Sequence, residues 1–347
     1  MSHPLPEATT AVSDLSPSRC PSCGVDVTPD ASFCEACGSP LTAPVAAAPA
    51  TLAPPSPRCL ECGGEVGTDG YCTVCGTKAP SPRDHYVEQP ASWVAAVCDR
   101  GIKHHRNEDA TAVAAEAEPG SRAVLVVCDG VSTSTDSDVA SLAAARRARD
   151  VLVALQPGGL GTPASEAAAI AAAFETATAQ ANEAVVQTTA SDSDDAAACT
   201  FAAAVVQGDL VVHAGVGDSR VYWLPDGDAP PLQLTLDDSM AQARIAMGVA
   251  REAAETGPQA HAITRWLGRD TPDAVPRTGT LALDRPGWLL VCSDGLWNYA
   301  SSPERLQALV AELAAGAGSP LALAEALVRW ANAQGGRDNV SVALARH

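Results

Sequence analysis

The feature that most constrains this chain is a pair of apolar runs that each end in Asp-Gly. Arg122–Gly130 reads RAVLVVCDG and Gly287–Gly295 reads GWLLVCSDG. Val-rich runs of this length predict buried strands, because branched side chains suit a pleated surface covered on both faces. Asp129-Gly130 and Asp294-Gly295 then place a carboxylate where the strand stops and where backbone can approach closely. One Asp-Gly is a common turn. Two at the ends of buried strands, with further acids at other strand ends, suggest carboxylates converging on metal.

A chain of 347 residues has room for one large domain plus smaller modules. Its formal charge of −19 argues against a nucleic-acid or anionic-membrane surface. No apolar run approaches the roughly 20 residues that a membrane helix needs. The N-terminal MSHPLPEATT has neither the basic nor the apolar region of a signal peptide. These readings favour the cytoplasm, where cysteines stay reduced and serve metals more often than disulfides.

Residues 1–18 are rich in Ser, Pro and Thr and predict a disordered tail. Cys20-Pro-Ser-Cys23 and Cys34-Glu-Ala-Cys37 follow, and an Ala/Pro linker spans 40–57. Cys59-Leu-Glu-Cys62 and Cys72-Thr-Val-Cys75 then repeat the pattern. Each CxxC knuckle puts two thiolates on one turn, and two knuckles give four soft ligands, the set that tetrahedral zinc prefers. Modules this short cannot bury a core, so the metal would supply most of their folding free energy. Disulfides are the alternative, and a reducing compartment disfavours them. The pattern predicts two structural zinc ribbons, at 19–39 and 58–77, resembling the double zinc ribbon found as an accessory module. All-cysteine ligation closes the sites to catalysis. A protein-docking or regulatory role fits them better than DNA binding.

Residues 78–91 carry Pro, charge and little apolar content and read as a linker, leaving 92–347 as the second domain. It opens with a strand at Trp93–Val97, then a basic loop, Lys103-His104-His105-Arg106, directly before Glu108-Asp109. That loop reads either as a solvated turn or as an anion-capturing edge beside a cation site. Helices are expected at about 138–155 and 163–189, the second opening at Thr162-Pro163. A hairpin is expected at Thr200–Val206 and Leu210–Ala214, running into Gly217-Asp218, where a bulge would re-aim the acid. A helix over Ala241–Gly257, strands near 278–283 and 288–292, helices at 303–315 and 320–334 and a last strand, Val340–Ala345, complete the reading.

Six acids stand at strand ends or Gly-linked turns: Glu108, Asp109, Asp129, Asp218, Asp294 and Asp338. Any one alone reads as a turn residue. Together they form an oxygen-only set suited to hard ions such as Mg²⁺ or Mn²⁺. Two such ions can share a bridging carboxylate and hold a hydroxide for attack on phosphorus. No Walker loop and no cysteine-centred anion loop offers other phosphoryl machinery.

Residues 92–347 resemble the PPM/PP2C family of metal-dependent protein serine/threonine phosphatases. The segments Asp99–Ala110, Val126–Gly130, Gly217–Arg220, Leu234–Ser239, Cys292–Trp297 and Arg337–Val342 match its motifs in order. The resemblance implies an α+β fold, a four-layer α-β-β-α sandwich with a metal pair at one edge. It implies that Asp129 bridges two Mn²⁺ or Mg²⁺ ions and that Asp294 and Asp338 hold the first. Glu108 and the Gly130 carbonyl would help to hold the second, Asp109 would act through water, and Asp218 would support a weak third ion.

Three departures qualify that pattern. His104 stands where the family commonly has a phosphate-binding Arg, so His104, Lys103 or Arg106 would take that role. Val131-Ser132-Thr133 follows Asp129-Gly130 without the histidine that some members use as general acid. Asp238 and Asn298 replace a frequent His and Asp, which weakens the case for the third ion. The expected activity is hydrolysis of phosphoserine and phosphothreonine in phosphorylated proteins, with a cognate serine/threonine kinase as a candidate partner. The alternative is an adaptor or pseudophosphatase that binds phosphoproteins through the ribbons and a weakly active domain.

Overall fold

The computed structural model describes residues 58–59, 61–154, 161–190 and 193–347, with short pieces at 18–19, 24–27, 36 and 51–52. The chain divides into two units, 1–44 and 45–347. In the first, β1 (Ser18–Arg19) pairs antiparallel with β2 (Asp26–Val27).

The second unit holds β3 (Thr51–Leu52), β4 (His85–Ala91), β5 (Val94–Asp99), β6 (Ala110–Ala115) and β7 (Arg122–Cys128). Helices α1 (Ser137–Ala154) and α2 (Pro163–Val186) follow, then β8 (Ala198–Cys199), β9 (Phe201–Gln207), β10 (Leu210–Val216), β11 (Arg220–Pro225) and β12 (Leu232–Gln233). Next come α3 (Met240–Ala246), α4 (Arg251–Glu255), β13 (Leu267–Gly268), β14 (Arg277–Ala282) and β15 (Gly287–Cys292). The chain closes with α5 (Asp294–Trp297), α6 (Pro303–Ala314), α7 (Pro320–Ala333) and β16 (Val340–Arg346). Among the described residues no helix is long and apolar enough to cross a membrane.

Two antiparallel sheets carry the fold, ordered β14-β10-β9-β7-β6 and β12-β11-β15-β16-β5-β4-β3. Strand alternation explains the layers. On β7, Ala123, Leu125 and Val127 face the second sheet and meet Val94, Val221, Val291 and Ala343 there. Val124, Val126 and Cys128 point the other way, onto Ala144, Leu152, Phe174 and Ala181 of α1 and α2. The outer face of the larger sheet packs Val97, Leu290, Val342 and Leu344 against Leu306, Leu323 and Leu327 of α6 and α7. The result is the expected α-β-β-α sandwich, and RAVLVVC is buried on both faces because it lies between a helical layer and a second sheet.

Register brings one end of each sheet to the same place. Ala110 pairs with Cys128, Ala202 with Val127 and Val216 with Phe201, so the start of β6 and the ends of β7 and β10 share an edge. In the other sheet Arg220 pairs with Cys292, Val342 with Cys292 and Val340 with Asp99. The helices begin where their sequence caps them: the Thr162 hydroxyl accepts from the Ser165 N–H, and Pro163 follows it.

Three expectations are corrected. His85–Ala91, read as linker, is strand β4. Its apolar content is low because Glu88 is one of its inward residues, buried with its carboxylate accepting from the Thr111 hydroxyl at 2.7 Å. The segment Gly217–Ser219 carries the chain from one sheet to the other, since β10 lies in the first and β11 in the second, so no bulge is needed to re-aim Asp218. The helix expected over 241–257 is two short helices, α3 and α4, split at Gly248, whose φ of +91° no helix accommodates.

Burial raises the Glu88 carboxyl to about 7, and the Thr111 hydrogen bond only partly opposes it. A raised carboxyl favours the fold while protonated, so this stability is present below the ordinary Glu range and is lost as pH rises through about 7. Glu88→Gln keeps the acceptor without the charge. It is expected to stabilise the protein by roughly 2–3 kcal/mol at pH 8 and by little at pH 5, measured by urea denaturation at both values.

Candidate active site

Five of the six singled-out acids are gathered by the shared sheet ends. Asp129 follows β7, Asp109 precedes β6, Asp218 lies in the crossing from β10 to β11, Asp294 opens α5 after β15, and Asp338 precedes β16. Their charges act on one another. The Asp129 carboxyl is pushed well above the ordinary range by burial and then by Asp109, Asp294, Asp338 and Asp218. Burial, Asp338 and Asp218 do the same to Asp294. Asp109 rises to about 7, mainly through burial, with a Ser293 hydrogen bond opposing and Asp338 adding to the rise. Asp218 also reaches about 7, through burial and then Asp237.

Glu108, the sixth acid, is held differently. Burial would raise its carboxyl, but hydrogen bonds from Ser137 (2.5 Å) and Arg106 (2.7 and 3.0 Å) bring it below the usual value. Its N–H donates to Asn339 Oδ1 at 2.8 Å, and its carbonyl accepts from Ser141 Oγ at 2.5 Å. Asn339, at the start of β16, also donates to the carbonyls of Arg100 and Arg106 at 2.7 and 3.1 Å. One amide from the larger sheet thus fixes the loop that delivers Glu108 and Asp109.

Gly130 sits so close to this loop that a Cβ would lie 2.6 Å from the Glu108 carbonyl and 2.8 Å from that of Ser137. Any side chain would displace the acid beside it, so the Gly of Asp129-Gly130 is required for approach. The Asp129 backbone is pinned by Thr200, which donates its N–H to the Asp129 carbonyl at 2.7 Å and accepts from its N–H at 3.0 Å.

His104 lies against the acids, with Nε2 3.2 Å from Asp338 Oδ1 and Nδ1 3.6 Å from Glu108 Oε2. Arg106 is engaged with Glu108 and Ser137, and Lys103 is exposed. Asp238 pairs with Arg265 at 3.2 Å and with Arg277, so its carboxylate is already committed. Asn298 donates to Asp294 Oδ2 at 3.0 Å.

A cleft of about 1080 Å³ opens at Asp294 and Asp338, with Arg251, His261, Arg305 and Arg337 on its walls. His261 Nδ1 stands 4.0 Å from Asp294 Oδ2, its ring stacked on Trp297 at 6.3 Å between centroids. Trp297 also meets the buried Arg220 guanidinium, 3.5 Å from the ring centre, which pairs with Asp237 and Glu255. Sequence reasoning missed His261, Asn107 and Asn339. The two asparagines adjoin acids at strand starts, which is a usable signal; His261 stands in a stretch with no pattern.

The residues fit hard cations. Asp109 Oδ1 and Asp294 Oδ1 are buried without a hydrogen-bond partner, and the donor set is oxygen throughout. The acids stand apart enough that no three of them, among the described residues, bring ligand oxygens within 4.8 Å of one another.

The cysteine motif gathers more tightly. Cys59, Cys62, Cys72 and Cys75 place their sulfurs within 4.8 Å of one another, with Cys59–Cys75, Cys62–Cys72 and Cys62–Cys75 at 3.5, 3.4 and 3.3 Å. Tetrahedral zinc with bonds of about 2.3 Å needs sulfurs roughly 3.8 Å apart, so the cluster fits it. The Thr77 hydroxyl and then its N–H draw the Cys75 thiol down to about 6. Cys20, Cys23, Cys34 and Cys37 lie outside the described residues.

The family model described as protein phosphatase 2C matches residues 101–331, and the one described as double zinc ribbon matches 20–76. Protein phosphatase PhpP of Streptococcus pneumoniae is 36% identical over 135 residues, 38% of this chain; the match spans only 51% of that relative. Serine/threonine phosphatase stp of Listeria welshimeri is 29% identical over 254 residues, 71% of this chain and 92% of the relative. The solved catalytic domain of serine threonine protein phosphatase PstP, in complex with two manganese ions, superposes with a TM-score of 0.55. That likeness covers 73% of this chain and 96% of the PstP domain at 26% identity. With the acids gathered at the sandwich edge and the family model matching most of the chain, this protein belongs to the protein phosphatase 2C family and carries a double zinc ribbon ahead of its sandwich.

Proposed function

We propose that the chain is a metal-dependent protein serine/threonine phosphatase that hydrolyses phosphoserine and phosphothreonine. The observation that carries this reading is the gathering of Asp109, Asp129, Asp218 and Asp294 at one sandwich edge, where burial first and neighbouring carboxylates second raise all four carboxyls. Acids forced together in this way are stabilised by cations. The PstP catalytic domain, similar in fold, is described with two manganese ions.

In this reading Asp129 lies between two Mn²⁺ or Mg²⁺ sites, Asp294 and Asp338 face the first, and Glu108 and the Gly130 carbonyl face the second. Asp109 acts through water, and Asp218 stands by a weaker third site. Bound there, the dications would activate water for in-line attack on phosphorus and offset charge on the phosphoryl oxygens. The chain's own residues set the geometry. Ser293 holds Asp109 at 2.6 Å, Thr200 fixes the Asp129 backbone, and Ser137 and Arg106 hold the Glu108 carboxyl below its usual value. His104 lies against Asp338 and Glu108, where a ring N–H can meet a phosphoryl oxygen. With Val131-Ser132-Thr133 offering no imidazole, the leaving oxygen takes its proton from water or from His104 or His261.

The ribbons each hold one structural zinc and serve as a docking module for phosphoprotein or kinase. Tyr71 and Val74 stand exposed on the second ribbon, which suits protein contact.

Two measurements test these readings. Wild type is expected to hydrolyse a phosphothreonine peptide only with Mn²⁺ or Mg²⁺. Asp129→Ala is expected to lower kcat/KM about a thousandfold or more, because it removes a group worth several kcal/mol of metal-assisted stabilisation. Absence of turnover by wild type across a metal titration would favour the adaptor reading; turnover retained by Asp129→Ala would remove the metal mechanism. For the ribbon, Cys62→Ser with Cys75→Ser should lower zinc content by about one ion per chain relative to wild type, measured by elemental analysis. Unchanged zinc would sink the ribbon assignment.

A further inference from the structure

The second ribbon runs almost directly into the sandwich. Ala79 still bonds back to the Gly70 carbonyl at 2.7 Å, and β4 begins at His85. The residues from Lys78 to Asp84 are tied to the loop that delivers Glu108 and Asp109. Asp84 accepts from the Arg100 N–H at 2.7 Å, and Lys78 donates to the His105 carbonyl at 3.4 Å.

Arg83 makes the densest of these contacts. Its Nη2 lies 3.2 Å from the Asn107 carbonyl, 2.9 Å from that of Asp109 and 3.2 Å from that of Asp138. Asn107 returns a bond from Nδ2 to the Arg83 carbonyl at 2.8 Å. The first two carbonyls bracket Glu108. The third belongs to the opening turn of α1, whose Ser137 and Ser141 bond the side chain and carbonyl of Glu108. One guanidinium nitrogen therefore closes the gap between the acid-bearing loop and the helix that orients it.

We propose that Arg83 is a positioning residue for the metal site, clamping the Glu108–Asp109 loop against α1. This rests on the metal-site reading above. The clamp's hydrogen bonds go to backbone carbonyls, and its guanidinium also lies over the Tyr86 ring at 5.7 Å, so it sets where the two acids stand without entering their coordination. All three bonds come from Nη2, while Nη1 is buried without a partner, so the rigid planar group presents one nitrogen at a fixed place. Lysine would keep the charge on a flexible stem and lose that fixed placement. The position of Arg83, just past the ribbon, makes the acid loop answerable to a segment outside the matched phosphatase region 101–331.

The test is Mn²⁺ titration by calorimetry on the full chain with its ribbon zinc retained, for wild type, Arg83→Ala, Arg83→Lys and the remote control Arg346→Ala. Arg83→Ala is expected to raise the Mn²⁺ dissociation constant about tenfold, as loss of a group that orients metal ligands does. Arg83→Lys should fall between it and wild type, and Arg346→Ala should match wild type. A role confined to stability would lower the melting temperature and leave Mn²⁺ affinity alone, and that result overturns the proposal. If Arg83→Ala does not fold, wild-type affinity in Arg83→Lys overturns it instead. Absence of Mn²⁺ binding by wild type would remove the metal-site reading itself, and the proposal with it.

Discussion

Repulsion among the acids at the sandwich edge is the constraint on which the rest of this structure turns. Carboxyls raised by burial and then by one another's charge oppose the fold that gathers them. The surrounding sequence answers with fixed partners. Thr200 grips the Asp129 backbone, Ser293 the Asp109 side chain, and Asn339 the Glu108 N–H. These partners come from both sheets, so the cluster stays together only while the sheets keep their register. The inter-sheet core that fixes the register mixes Ala115, Ala123, Ala202 and Ala343 with Trp93 and Trp223. Small residues on facing strands let the sheets approach closely, which is how a chain with 4% aromatics builds a dense interior.

Much of this was legible in the sequence where a single local rule governs. The Val-rich runs gave buried strands, Thr162-Pro163 gave a helix start, and Asp-Gly steps gave acids at strand ends. What failed to show was decided by partners far along the chain. Nothing local says that the Glu88 carboxylate will meet the Thr111 hydroxyl, so a strand with an inward acid and Pro90 reads as linker. Nothing local says that the chain changes sheets at Gly217–Ser219, because β11 owes its place to β15, dozens of residues later. The split of 241–257 was visible in principle, since Gly248 stood inside the pattern, but a lone Gly in a helical run is often tolerated. Site roles divide similarly. The acids announced themselves by type and spacing, and Asn339 by its place beside one of them, whereas Arg83 acts on backbone carbonyls that carry no residue signature.

Charge closes the argument. A phosphorylated substrate is an anion, and this chain carries a formal charge of −19, which taken whole would repel it. At physiological ionic strength the screening length is about 8 Å, so a phosphoryl group at the site responds to near neighbours rather than to the total. Those neighbours are mixed in sign. Arg251, Arg305 and Arg337 line the adjoining cleft together with Glu252, Glu255, Asp294 and Asp338. Cations held by the acids would add the largest local positive charges, at the edge where Asp109, Asp129, Asp218, Asp294 and Asp338 gather. The excess of acid that argues against binding a polyanion is, at this edge, what makes a local anion site feasible.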